Sequence, residues 1–191
     1  MEIRKQILES IKIREALLAS EEVSTLLYKA VELIAGVYKN GGKVLFCGNG
    51  GSAADAQHLA AELSGRFYLN RPPLNAEALH VNTSFVTATA NDHSFDHVYE
   101  RMVMAQGKPG DLLMAFSTSG KSPNIIKAIE AANGLGMHTL GFTGAAGGDM
   151  IGKCTMLFRV PSNDTPRIQE AHMLLGHIIC ENVERQLFET S

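Results

Sequence analysis

Lys43-Val-Leu-Phe-Cys47 runs straight into Gly48-Asn-Gly-Gly-Ser52, and Asp111-Leu-Leu-Met-Ala-Phe116 runs into Ser117-Thr-Ser-Gly-Lys-Ser122. Each is a short, unbroken apolar run of the kind a strand shows when both faces of its sheet are covered, followed by a turn of small residues and then a helical pattern. Each turn also has the composition to wrap an anion. Glycines permit positive φ and close approach, backbone N–H groups turn inward, hydroxyls add donors, and the following helix supplies partial positive charge. Open α/β sheets bind ligands at the carboxyl ends of their strands, so two such turns in one small chain predict a phosphorylated small-molecule ligand.

Working outward, apolar runs at 43–47, 76–81, 111–116, 137–142 and 155–160 alternate with helical stretches. That alternation predicts a three-layer α/β fold with a five-stranded, mainly parallel sheet. Ahead of it, Ile3, Ile7 and Ile11, then Leu26, Leu27, Ala30, Val31, Ile34, Val37 and Tyr38, keep helical spacing with a break near Glu21-Glu22, which predicts an N-terminal helical pair. Arg167 to Phe188 reads as a long C-terminal helix, with Pro161 and Pro166 marking its approach. The chain of 191 residues suits one domain, with helices over 1–40 and an α/β core over 41–191. The terminal helices carry more apolar positions than one buried face needs, and a partner subunit or an intramolecular layer would cover the surplus.

A net charge of -3 and the lack of any Lys/Arg cluster argue against nucleic acid as a direct ligand. No apolar run approaches the roughly 20 residues of a membrane span, and the start Met1-Glu-Ile-Arg-Lys5 has no signal-peptide core. Cys47, Cys154 and Cys180 are odd in number, sit in apolar segments and lack metal-type spacing. They read as reduced core residues of a soluble, cytoplasmic protein.

Two familiar motifs fail on inspection. Gly48-Asn-Gly50-Gly-Ser-Ala53 fits G-x-G-x-x-[GA], but a dinucleotide site also wants an acidic residue at the end of the second strand, where His80-Val-Asn82-Thr83 stands. Gly120-Lys-Ser122 evokes a P-loop, yet the first glycine of that motif falls on Ala115. Ser117, Thr118, Ser119 and Ser122 remain as an anion cradle, against the plainer reading of capping serines.

Among polar residues, His58 and Glu62 lie four apart on one helical face, with Asp55 and Gln57 nearby, and Gln169, Glu170, His172 and His177 punctuate the apolar closing helix. Taken singly, such residues are usually solvated or satisfied in a core. Together, His58, Glu62 and His177 offer ligand types for Zn²⁺ or another divalent ion, with Gln169 a less usual oxygen donor. Gln169 and His177 stand eight residues apart, roughly 12 Å along a straight helix. Both reach one ion only if the helix bends or if more than one chain contributes.

Cys47-Gly-Asn-Gly-Gly-Ser52, His58-x-x-x-Glu62, Gly65-Arg66, Ala90-Asn-Asp92, Ser117-Thr-Ser-Gly-x-Ser122 and Arg167-Ile-Gln-Glu170 with His177 resemble, in order and spacing, the bacterial phosphoheptose isomerases of the sugar-isomerase (SIS) superfamily. The resemblance spans nearly the whole chain. It implies a flavodoxin-like SIS fold, a homotetramer with its active site shared between subunits, and conversion of sedoheptulose 7-phosphate to D-glycero-D-manno-heptose 7-phosphate for lipopolysaccharide or other surface glycans. It places phosphate on Ser117, Thr118, Ser119 and Ser122, and the sugar among Asn49, Gly50, Gly51, Ser52, Glu62, Arg66, Asn91, Asp92 and Gln169. Zinc is implied at His58, Glu62, Gln169 and His177, with Glu62 and His177 as the catalytic acid/base pair. Some relatives carry an acidic residue where this chain has Pro166. A non-enzymatic relative, a regulator that binds the bacterial replication initiator, shares both loops and a counterpart of His58 but lacks Glu62 and His177. Their joint presence here favours the enzyme over a phosphosugar-binding regulator.

Overall fold

The computed structural model describes residues 2–189. Two helices come first, α1 (Glu2–Leu18) and α2 (Glu21–Lys39), divided at Ser20, whose hydroxyl accepts the Val23 N–H as an N-cap. Then follow β1 (Val44–Gly48), α3 (Gly51–Ser64), β2 (Ala76–Ala78), α4 (Thr83–Asp92), a 3₁₀ turn (Phe95–His97) and α5 (Val98–Gln106). The second half holds β3 (Leu112–Phe116), α6 (Pro123–Gly134), β4 (His138–Thr143), a 3₁₀ turn (Gly148–Met150), β5 (Met156–Arg159) and α7 (Thr165–Phe188).

The strands pair in the order β2-β1-β3-β4-β5, and every pairing is parallel. Strand residues alternate between two cores. Val44, Phe46, Leu112, Met114, Phe116, Leu140, Phe142 and Phe158 face the layer built by α2, α3 and α7. Leu45, Cys47, Leu113 and Ala115 face α5 and α6. Both faces are therefore covered, which is why these strands read as continuous apolar runs with no polar alternation.

From β1 the chain leaves toward β2 on one side, and from β3 it leaves toward β4 on the other. The adjacent ends of β1 and β3, paired through Gly48 and Phe116, form the switch point at which this strand order opens a crevice. Both small-residue turns lie there.

All five predicted strands are present, but the second is cut to three residues rather than 76–81. After Ala78 the Leu79 N–H still reaches the Phe46 carbonyl, then Asn82 caps α4 and draws the chain away from the sheet edge. At the amino terminus α2 packs on α7, whereas α1 buries only Leu17 and leaves Ile3, Ile7, Leu8 and Ile11 exposed. Cys47 and Cys180 are buried and Cys154 half-buried; all three are free thiols. No helix among the described residues is long and apolar enough to cross a membrane.

Candidate active site

The turn after β1 is closed by the first residues of α3, with Ser52 N–H donating to the Asn49 carbonyl and Ala53 N–H to that of Gly50. Ser52 is buried, and the Gly48 carbonyl accepts a short hydrogen bond from the Tyr99 hydroxyl. The turn after β3 is drawn tighter. Gly120 sits at φ +67°, and a Cβ there would stand 2.1 Å from the Gly147 carbonyl oxygen. Asp149 N–H donates to the Gly120 carbonyl and Gly144 N–H to that of Thr118, so the loop following β4 buttresses this turn from behind.

The hydroxyls of this second turn do not cap the helix that follows it. Ser122 occupies the N-cap position of α6 but makes no side-chain cap. Its Oγ instead lies 3.0 Å from Ser117 Oγ. Ser119 Oγ accepts the Lys121 N–H. Of the Ser117 and Ser122 hydroxyls one donates to the other, which leaves one O–H beside the N-terminus of α6 free to meet an anion.

The second cluster arises because α7 lies against α3. Gly176 makes the approach possible: a Cβ there would stand 2.5 Å from Leu59 Cδ1. The neighbouring residues on each helix are His58 and His177. His58 Nε2 lies 3.0 Å from Glu62 Oε1 and 3.2 Å from His177 Nε2. One ligand atom from each of the three residues falls within 4.8 Å of the others. Two ligands bound ~2.0 to 2.1 Å from a tetrahedral ion stand roughly 3.3 Å apart, so the spacing and donor set fit a divalent ion. The Phe67 ring lies beside His177, tilted by 57° with ring centroids 5.9 Å apart.

Gln169 takes a different position. Its amide packs on Gly51, where Nε2 would stand 2.5 Å from an added Cβ, at the start of α3 and beside the first turn. None of the described hydrogen bonds joins it to His58, Glu62 or His177. Asn91 and Asp92 are exposed at the end of α4 and bond to each other, and Arg66 reaches only the Tyr68 carbonyl, at 3.5 Å. Within a single chain these three approach neither turn through a hydrogen bond.

His172 separates from His177 clearly. It is buried against Phe116 and Phe142, and burial lowers its pKa to about 4, with Nε2 3.3 Å from the Thr143 carbonyl. It is a neutral core histidine. Asp55, one turn ahead of His58, has its pKa raised to about 6 by burial, opposed by His58.

Sequence reasoning missed the pair that fixes α3 to α7. Arg71 donates to the carbonyls of Glu62, Leu63 and Gly65, the open end of α3, and its Nε lies 2.7 Å from Glu184 on α7. Arg71 and Glu184 are far apart in sequence, and no local pattern marks them as partners.

The SIS domain model matches residues 9–144. The chain is 47% identical over 186 residues to the phosphoheptose isomerase of Aneurinibacillus thermoaerophilus, covering 97% of this chain and 94% of that one. It is 54% identical over 159 residues to that of Rhodospirillum rubrum, covering 83% and 85%. The chain belongs to the phosphoheptose isomerase family of SIS-domain proteins. The phosphoheptose isomerase structure from Neisseria gonorrhoeae superposes with a TM-score of 0.89 at 40% identity, covering 96% of this chain and 97% of that one. That from Francisella tularensis gives 0.92 at 33% identity over the same shares.

Proposed function

We propose that this chain isomerises sedoheptulose 7-phosphate to D-glycero-D-manno-heptose 7-phosphate, feeding heptose into surface glycans, with residues 1–191 forming one SIS domain. The observation that carries the reading is the convergence of Glu62 and His177 from two helices in a phosphoheptose isomerase chain, where α3, which carries Glu62, starts at the turn after β1 and the hydroxyl-lined turn follows the neighbouring strand β3. Ser117, Thr118, Ser119 and Ser122 take the phosphate, and Asn49, Gly50, Gly51, Ser52, Arg66, Asn91, Asp92 and Gln169 surround the sugar.

The reaction moves one proton from C1 of the ketose to C2, while a second passes from O1 to O2, through an enediol. Glu62 and His177 share this work. Glu62 commits Oε1 to His58, and among the described hydrogen bonds its Oε2 makes none, which leaves a carboxylate oxygen to accept a proton. His177, half-buried, brings its Nε2 to the same cluster, where it can exchange a proton with a sugar oxygen. His58, Glu62 and His177 would hold a zinc ion, with Gln169 supplied by bending or by another chain. Held there, such an ion would supply Lewis-acid stabilisation of negative charge developing on the sugar's oxygens.

Supporting a homotetramer with shared sites are the exposed apolar stripe on α1 and the separation of Asn91, Asp92 and Arg66 from both turns within one chain. The reading also places the protein in the cytoplasm, where sugar phosphates are made. The test is conversion of sedoheptulose 7-phosphate by the pure protein. Glu62→Gln and His177→Gln should each lower kcat by about 10² or more. Near-normal turnover in both variants contradicts the assignment, and binding without turnover by the wild type returns the chain to a phosphosugar-binding regulator.

A further inference from the structure

The two turns answer different parts of the proposed substrate. The turn after β3 holds phosphate, while the turn after β1 opens α3, which carries Glu62. Whatever fixes one turn against the other therefore fixes the distance from the phosphate anchor to the proton-transfer group. Beyond the pairing of β1 with β3, one side-chain bridge joins them among the described hydrogen bonds. Asn49 Nδ2 donates to Asn124 Oδ1 and Asn124 Nδ2 donates to Asn49 Oδ1, each at 2.9 Å. Asn49 belongs to the first turn and Asn124 to the first turn of α6, directly after the cradle.

From this we infer that Asn124 is a positioning residue for the isomerisation, holding the proton-transfer end of the site in register with the phosphate cradle. The inference rests on the function proposed above. Asn124 is 2% exposed, so it acts through Asn49 and not by touching substrate. Each amide carries two N–H donors and an acceptor oxygen with two lone pairs. The reciprocal pair uses one donor and one lone pair of each residue, so Asn49 keeps an N–H and a lone pair for the sugar while its backbone is tethered.

The competing account is that the pair only satisfies a buried amide, that of Asn124, with a half-buried one, that of Asn49. Stability alone does not call for it, because an apolar pair of similar shape packs in such places with little net loss. Chemistry does call for it. The sugar is held at C7 while the reaction occurs at C1 and C2, so a small rotation of one turn becomes a displacement at the reacting carbons. A misplacement of about 1 Å lowers rates by up to about 10²-fold. Phosphate affinity is insensitive to the same shift, since all four hydroxyls of the cradle lie on one turn.

Asn124→Leu keeps the side-chain size and removes both bonds, and Asn124→Ala is the second variant if leucine does not fold. For each, kcat and KM for sedoheptulose 7-phosphate are measured beside the competitive Ki of inorganic phosphate and the melting temperature. The expected result is a kcat lower by about 10- to 10²-fold with the phosphate Ki within about twofold of wild type. A kcat within twofold of wild type overturns the inference. So does a parallel fall in kcat, phosphate affinity and melting temperature, or failure of both variants to fold, since each makes the pair a structural element only. A wild type that binds phosphate but never converts the sugar removes the proposed function and this inference with it, whereas an active wild type beside undiminished variants removes this inference alone.

Discussion

Glu184→Gln tests the joint that sets α3 against α7. The carboxylate is buried and takes four donors: Oε1 accepts the N–H groups of Tyr68 and Leu69 at 2.7 and 2.8 Å, and Oε2 accepts Phe67 N–H at 2.9 Å and Arg71 Nε at 2.7 Å. An amide has only one acceptor oxygen. Whichever way it turns, its NH₂ faces two donors, and Arg71 loses its counter-charge. Two stranded buried donors cost about 1–3 kcal/mol each, and removal of one partner from a buried ion pair about 3–5 kcal/mol, two descriptions of one loss. The expected destabilisation is therefore about 3–5 kcal/mol at pH 7, or a melting temperature lower by roughly 6–20 °C for a chain of this size. Urea unfolding of both proteins measures it. Burial by itself would raise the Glu184 pKa, but the backbone donors of Leu69, Phe67 and Tyr68, with Arg71, outweigh it and hold the carboxyl below the ordinary glutamate range. A depressed folded-state pKa contributes stability that is full above the unfolded value of about 4.3 and is lost as pH falls through the folded value. The gap between wild type and variant should thus be constant near neutrality and narrow on acidification below about pH 4. A difference under 1 kcal/mol at pH 7, or a gap that widens in acid, refutes the reasoning.

Dialysis against a chelator should abolish turnover while leaving phosphate binding intact, with activity restored by Zn²⁺, because the ion site and the cradle are built from different residues; turnover by metal-stripped protein, checked by elemental analysis, contradicts this. Gly120→Ala should weaken inorganic phosphate binding by at least tenfold, since a methyl group at φ +67° and 2.1 Å from the Gly147 oxygen forces the cradle open; calorimetric titration of phosphate measures it. Placing Asp at both Ile7 and Ile11 should yield a smaller particle by light scattering, because these exposed positions would lie in a subunit contact; an unchanged mass removes α1 from the interface.

The sheet was legible because both of its faces are buried, so that strands such as Leu112–Phe116 announce themselves as apolar runs. The second strand was less so: only Ala-Glu-Ala pairs at the sheet edge, too short for any periodicity, and the apolar Leu79 and Val81 beyond it extended the reading too far. His58 and Glu62 were visible as a pair from helical spacing. His177 was not tied to them by any local rule, since only the packing of α7 on α3 across Gly176 and Leu59 closes the trio. The family motifs supplied that link before the geometry did. Asn124 and the Arg71 and Glu184 pair lay outside both kinds of signal, because an amide or an ion pair joining distant segments leaves no periodic trace.

Turnover of sedoheptulose 7-phosphate in deuterated water joins the cradle to the acid/base pair in one readout. Wild-type protein should place solvent deuterium on C2 of the heptose product, and Glu62→Gln should bind the sugar phosphate with no such label. Sugar phosphate that binds the wild type yet gains neither deuterium nor a new carbonyl position would show that the anchored sugar never reaches Glu62 and His177.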